Sequence, residues 1–221
     1  MKIIVYTANI GGYDNFNHHN ILDLNVRYIL FTDNKYISSP SWEISHIDFI
    51  KEKLDNRKIA RYIKTNPHKI LPAHDVSIWV DHCYIPKIKN FEDFLNQISF
   101  LNKNVMCYNH NERNCSYKEA NVCKSKNLDN HTVIDNQING YITEKFPNNY
   151  GLFDTGFMIR KNNEIVNNFN EFWWNEIKHK SGRDQLSQMY SSWKTKTQIN
   201  PIPIGRSIYH NPFLNKKIPH N

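Results

Sequence analysis

Asp75-Val-Ser-Ile-Trp-Val-Asp81 is an apolar run bounded at both ends by a carboxylate. Val76 to Val80 are too few for an ordinary helix and too uniformly apolar for an exposed edge strand. The pattern reads as a central strand buried on both faces, as in sheets covered by helices on each side. Asp81 then emerges at the carboxyl end of the strand, where open α/β sheets gather their ligands. A carboxylate there can hold a divalent cation against a diphosphate. Read alone, Asp81 equally suits the cap of a turn.

Outward from this strand, the chain alternates strand and helix patterns. Lys2 to Thr7 reads as a first strand, with a loop from Ala8 to Asn17 containing Gly11-Gly12. Arg27 to Thr32 and Trp42 to Ile47 read as further strands. Leu54 to Asn66 carries Ile59, Tyr62 and Ile63 at helical spacing, and Asn66-Pro67 breaks or restarts that helix. Phe91 to Ile98 reads as a short amphipathic helix, Val105 to Tyr108 as a strand and Tyr117 to Lys124 as a helix. The polar stretch Ser125 to Gln137 is expected to be a mobile loop. Leu152 to Arg160 reads as a strand interrupted by Gly156. Ile165, Phe169, Phe172, Trp173 and Ile177 mark a long helix, and a second helix follows Gly182. From Thr197 the chain is Pro-rich and irregular, ending in a basic tail. Strands alternating with helices imply one α/β domain, a mostly parallel sheet flanked by helices, over residues 1–221.

At 221 residues the chain is long enough for a full core, and 39% hydrophobic content excludes a disordered protein. The net charge of +7 favours polyanions, anionic membrane surfaces or phosphorylated small ligands. Lys and Arg are spread along the chain without a nucleic-acid arm, so no nucleic-acid partner is expected. Cys83, Cys107, Cys115 and Cys123 form no CxxC pair, and reduced thiols in a cytoplasmic protein are expected. The opening Met1-Lys-Ile-Ile-Val-Tyr is too short for a signal-peptide core, and nothing approaches the roughly 20 apolar residues of a membrane span.

Three further segments can carry chemistry. Arg57, Arg61 and Lys64 lie three to four residues apart and share a helical face, either a solvated basic stripe or a cradle for a diphosphate. In Asp154-Thr155-Gly156, the glycine within a strand marks a bulge or a close approach. Ser181 and Asp184 have the spacing of a capping box, which leaves Arg183 and Gln185 unexplained.

Arg61-Tyr-Ile-Lys-Thr-Asn-Pro-His-Lys-Ile-Leu-Pro, Ser77-Ile-Trp-Val-Asp81, Asp154-Thr-Gly-Phe-Met-Ile-Arg160 and Arg183-Asp-Gln185 follow one order. That order resembles the GT-A glycosyltransferases. The nearest likeness is to the plant mucilage-related glycosyltransferase-like family, and more distantly the layout resembles family 8 glycosyltransferases. Tyr6 to Tyr13, Phe31 to Asn34 and His110 to Ala120 also resemble blocks of that family.

The resemblance implies a nucleoside diphosphate sugar donor, a glycan or other hydroxyl acceptor and Mn²⁺ or Mg²⁺. Thr7, Ala8, Tyr13 and Asp33 would lie at the base and ribose, and Arg61, with Lys64 beside it, at the diphosphate. Asp81 would be the first carboxylate of a DxD motif, with His210 completing the metal site. Thr155 and Gly156 would line the sugar and acceptor cleft with Asp154; Arg113 and Glu119 are expected either on the acceptor side or as a surface ion pair worth under about 1 kcal/mol. Asp184 and Gln185 resemble the pair facing the reacting sugar; if the reaction inverts, Asp184 is the first choice of base, and if it retains, Asp184 or Asp154 would stabilise the positive sugar, the sequence leaving both courses open. The tail, 197–221, would close the donor site. One departure stands out: the third DxD position is Cys83, and a thiolate suits softer metals than Mg²⁺ or Mn²⁺, so either Asp81 and His210 hold the metal with water or the cationic residues replace the metal altogether.

The expected activity is therefore a hexosyltransferase-type reaction in glycan or polysaccharide synthesis, in the cytoplasm or at the periphery of an anionic membrane. A catalytically inactive nucleotide-sugar or glycan-binding module is the alternative, and a metal-dependent phosphoesterase a more distant one.

Overall fold

The computed structural model describes residues 1–13, 23–50, 53–84 and 86–215. The end of the loop expected from Ala8 to Asn17, and the basic tail with Lys216 and Lys217, lie outside the described residues.

A seven-stranded sheet has the order β3-β2-β1-β4-β6-β5-β7. Its strands are β1 (Ile3–Asn9), β2 (Arg27–Thr32), β3 (Glu43–His46), β4 (Val76–Val80), β5 (Val105–Asn109), β6 (Phe153–Lys161) and β7 (Ile199–Pro201). β6 runs antiparallel to β4 and β5, and every other neighbouring pair is parallel. β4 is buried along its whole length, as its unbroken apolar run requires.

Helices cover both faces. On one face α3 (Phe91–Gln97) packs Phe91, Phe94 and Leu95 against Val5, Leu30, Ile78 and Phe157. On the other, α1 (Asn56–Thr65), α6 (Glu164–His179) and α7 (Asp184–Thr195) bury Ile63, Phe169, Trp173, Ile177 and Tyr190 with Tyr6 and Met158. The alternation of Ile3 and Val5 with Ile4 and Tyr6 across the two clusters is the two-residue period of a strand. Asp55 caps α1 by accepting from the Lys58 amide at 2.8 Å. Asn66 both ends α1 and precedes the single turn α2 (Pro67–Ile70), so the Asn66-Pro67 signal meant a stop and a restart.

Two expectations are corrected. Of the polar stretch from Ser125, only 126–130 is a loop. The stretch continues as α5 (His131–Thr143), after α4 (Ser116–Ser125), because Ile134, Gln137 and Tyr141 form a buried stripe at helical spacing. The tail is not irregular throughout: β7 adds to the free edge of β5, with Pro201 at its end. Beyond β7, Ile202, Ile208 and Leu214 return to the core and hold the described tail against it.

Candidate active site at the strand ends

The polar centre of the molecule begins with the register of β6. Cys107 of β5 pairs with Met158, but Tyr108 pairs with Asp154, so extra residues of β6 stand out as a bulge around Gly156. The Gly156 carbonyl accepts from the Asp81 amide at 2.7 Å, which ties the bulge to the carboxyl end of β4. A side chain at Gly156 has no room: a Cβ there would lie 2.7 Å from Ile208 Cδ1 and 3.1 Å from a Tyr84 ring carbon. The glycine signal therefore marked both a bulge and a close approach.

α1 delivers its cationic stripe to this point. The Lys64 ammonium is fully buried and donates to Asp184 Oδ2 at 2.7 Å, Thr155 Oγ1 at 3.0 Å and Asp81 Oδ1 at 3.3 Å. Trp79 Nε1 donates to the same Asp81 oxygen at 2.7 Å, and the ammonium lies 5.5 Å from the Trp79 ring centre. Arg61 Nε is 3.5 Å from Asp184 Oδ1, and Thr155 Oγ1 donates to Asp184 Oδ2 at 2.9 Å. Below the cluster, the buried Arg160 donates to the Lys64 carbonyl at 2.6 Å, to the Tyr6 hydroxyl and to Asn170. Its charge sits at the carboxyl end of α1, where carbonyls lack helical partners and the helix dipole favours a cation.

Asp184 opens α7, a position that itself favours an acid. Burial alone would raise its pKa, but the charges of Arg61 and Lys64, the Lys64 hydrogen bond and the Arg183 charge outweigh burial and hold the carboxyl well below its ordinary range. Asp154 behaves oppositely. Burial pushes it up to about 6; the Gly156 amide and Lys64 favour its charged form, while Asp81 and Asp184 oppose it.

The capping box expected between Ser181 and Asp184 does not form. Ser181 Oγ donates to Asp129 Oδ2 at 2.7 Å and accepts from the Arg183 amide at 3.1 Å. Asp129 also accepts from the Gly182 amide at 3.0 Å and lies 4.0 Å from Arg57 Nη1, so the turn into α7 is clamped by the stretch expected to be mobile.

These groups border a cleft of about 470 Å³, within the usual range for small-molecule sites. Of the expected residues, Ala8, Tyr13, Arg61, Asp81, Cys83, Asp154, Thr155, Gly156, Asp184 and Gln185 line it. Lys64 lies behind the wall, bonded to three of them. Thr7 and Asp33 are set back: Thr7 is buried in β1, and Asp33 accepts the Gly11 amide at 2.9 Å. Arg113 and Glu119 are not on the lining; they pair at 2.7 Å, with Glu119 buried. His210 is exposed, off the lining, and 3.2 Å from Ser207 Oγ. Arg57, the first residue of the basic stripe, also lines the cleft, as do Arg183 and Tyr209, for which no place in it was expected. Arg57 was legible as part of the basic stripe, and Arg183 as the residue the capping box left unexplained.

The donor set does not fit a resident Mg²⁺ or Mn²⁺. Asp81 Oδ1 is engaged by Lys64 and Trp79, a buried thiol replaces the second carboxylate, and His210 is off the cleft. Among the described residues, no group of three or more His, Cys, Asp or Glu is placed to hold a metal ion. No described helix is long and apolar enough to cross a membrane.

Comparison with known proteins agrees with this architecture. The TOD1/MUCI70 glycosyltransferase-like domain matches residues 3–208. None of the curated proteins matches in sequence. Among solved structures, the bifunctional glycosyltransferase WbbM superposes with a TM-score of 0.52 and 12% identity, over 91% of this chain and 39% of WbbM. This likeness carries the assignment of the fold as GT-A, and the chain spans well under half of WbbM. Mouse xyloside xylosyltransferase 1 matches with a TM-score of 0.47 and 9% identity, over 90% of this chain and 84% of that one.

Proposed function

The chain belongs to the TOD1/MUCI70 glycosyltransferase-like family, and from that premise we propose that it transfers a sugar from a nucleoside diphosphate sugar to a hydroxyl acceptor in glycan synthesis. One observation carries the reading. Three arginines, Arg57, Arg61 and Arg183, and three aspartates, Asp81, Asp154 and Asp184, line one cleft beside the carboxyl ends of β1 and β4 that is large enough for a nucleotide sugar.

In this reading Ala8 and Tyr13 border the base and ribose. Thr7 and Asp33 support that wall from behind, Asp33 through the Gly11 amide. Arg57, Arg61 and Arg183 face the diphosphate, whose oxygens match the planar fork of a guanidinium. Asp184 and Gln185 lie beside the sugar, with the Gln185 amide directed to the Phe153 carbonyl at 3.3 Å. The sugar–phosphate bond breaks, the acceptor oxygen bonds to the anomeric carbon, and the hydroxyl proton passes to a carboxylate. Arg61 and its neighbours stabilise the charge gathering on the departing diphosphate.

For the proton, Asp154 replaces Asp184 as the first choice. A base works best with a pKa near the working pH, and Asp154 is the cleft carboxylate pushed up to about 6. Asp184, locked between Lys64 and Arg61, serves as the anchor of the charge cluster and as a fixed negative charge beside the sugar. Glu119 and Arg113 act from behind the acceptor wall, as a pair held at 2.7 Å with Glu119 buried. The net charge of +7 suits work beside anionic polymer or at a cytoplasmic membrane surface.

Incubation with a panel of nucleotide sugars and simple glycan acceptors, followed by detection of free nucleoside diphosphate and extended acceptor, tests the reading. One donor should be consumed, with its sugar recovered on the acceptor. The thiol at the third DxD position favours a second reading, a nucleotide-sugar-binding module. Tight binding of one donor without release of its sugar over long incubation would establish that instead.

A further inference from the structure

Resting on the transferase reading, the charge plan of the cleft carries a further step. Carboxylates that converge on one point repel each other unless a cation stands between them. In a metal-dependent site that cation is the ion itself. Here the place between Asp81 and Asp184 is filled by an ammonium that belongs to the chain, held at 3.3 and 2.7 Å and by Thr155 Oγ1 at 3.0 Å. It has no exposure, so it cannot withdraw into solvent without opening α1. The Arg160 and Tyr6 bonds to the Lys64 carbonyl fix the backbone that carries it.

We propose that Lys64 is the resident cation of this site, and that the nucleoside diphosphate is held by Arg57, Arg61 and Arg183 without a divalent metal. Lys64 is a positioning residue in this scheme. It neutralises the two carboxylates, so that the guanidinium groups of the cleft remain attractive to phosphate. The same arrangement accounts for the thiol at Cys83: with the cation built into α1, the second oxygen ligand of a DxD motif has no ion to hold.

The test uses the full chain, stripped of metal by chelation, and UDP, GDP, CDP and ADP as probes, read by thermal stabilisation and calorimetry. The nucleotide that binds should do so in chelator with a dissociation constant within about threefold of that measured with Mn²⁺. Equilibrium dialysis of the protein alone should show no bound Mn²⁺. Lys64→Ala supplies the converse. Removing the ammonium leaves three oxygen donors around an opening, a set that suits Mn²⁺ or Mg²⁺. That variant should lose nucleotide affinity by about tenfold or more in chelator, and gain a Mn²⁺-dependent stabilisation that the parent lacks.

Nucleotide binding by the parent only after Mn²⁺ or Mg²⁺ is added would overturn the inference and leave the transferase reading standing. So would Mn²⁺ bound by the parent alone. A Lys64→Ala protein with unchanged nucleotide affinity in chelator would remove Lys64 from the scheme. Binding of none of the four nucleotides in either condition would take down both readings together. If Lys64→Ala does not fold, the titration of the parent with and without chelator decides by itself.

Discussion

The start of α7 and the bulge of β6 each present one aspartate to the same cleft, and the two are built in opposite ways. Asp184 is enclosed by Lys64, Arg61 and the Thr155 hydroxyl, and burial cannot overcome that much positive charge. Asp154 receives the Gly156 amide but makes no ion pair among those described, and burial pushes it up to about 6. One residue type thus yields a permanently charged anchor and a carboxyl able to exchange a proton near neutral pH. Such divergence between neighbouring acids separates fixed from reactive groups in a site.

The largest break in this comparison comes from removing the cation on the Asp184 side. Lys64→Met should leave two carboxylates facing each other with one of them buried, at a cost of about 3–5 kcal/mol in urea unfolding. A smaller loss than that of an ordinary surface lysine, well under about 1 kcal/mol, would mean that the cluster relaxes or hydrates and that Asp184 is no anchor.

A second break works on the backbone that carries Asp184. Asp129→Ala removes the acceptor of Ser181 Oγ and of the Gly182 amide. The stability cost should be about 2 kcal/mol, less than for Lys64, because the abandoned donors are hydrogen-bonding groups and the one nearby charge, Arg57 at 4.0 Å, is half exposed. Its sharper sign is kinetic. A small displacement of the turn before α7 should lower kcat by about tenfold or more while the nucleotide dissociation constant stays within about threefold, since misplacement penalises the reacting geometry first. An unchanged kcat would show that Asp184 is held by Lys64 alone.

These two regions were unequally visible in the sequence. Asp81 could be placed from local pattern, because a short apolar run ending in a carboxylate has few foldings. The stripe of Arg57, Arg61 and Lys64 was visible because helical spacing is a local property. What Lys64 does was not, since its partner Asp184 lies 120 positions away and nothing in either segment names the other. The Asp129 clamp was hidden for a different reason. The stretch before α5 is rich in Asn and charge, and such polarity is shared by mobile loops and by helix-capping turns. Yet Asn130 accepts from the Val133 amide as an N-cap, and Ile134, Ile138 and Tyr141 repeat at helical spacing. Those signals lie in the sequence, but the stripe is complete only beyond Gln137, at Ile138 and Tyr141. The bulge was legible as a glycine in a strand, but the close approach at Gly156 comes from Tyr84 and Ile208, two residues remote in sequence.

The smallest effect is the one that separates the two aspartates most cleanly, because it has opposite signs for them. A carboxyl whose folded pKa is depressed, like Asp184, contributes stability above its unfolded pKa of about 4 and loses it as the pH falls through the folded value. A carboxyl whose folded pKa is raised does the reverse. Asp154 contributes stability below about pH 4, and that contribution is lost as the pH rises toward and through about 6. Asp154→Asn keeps the oxygen that accepts the Gly156 amide and removes the charge. Melting curves should therefore show the variant no more stable than the parent at pH 4 and more stable at pH 8. The difference should be on the order of 1–2 kcal/mol, once solvent screening of a partly exposed group is allowed for. If Asp154 is also the group that takes the acceptor proton, this stabilised variant should be the least active, and the parent's kcat should fall as the pH drops below about 6. A variant equally stable relative to the parent at both pH values would place Asp154 with Asp184 as a second fixed charge.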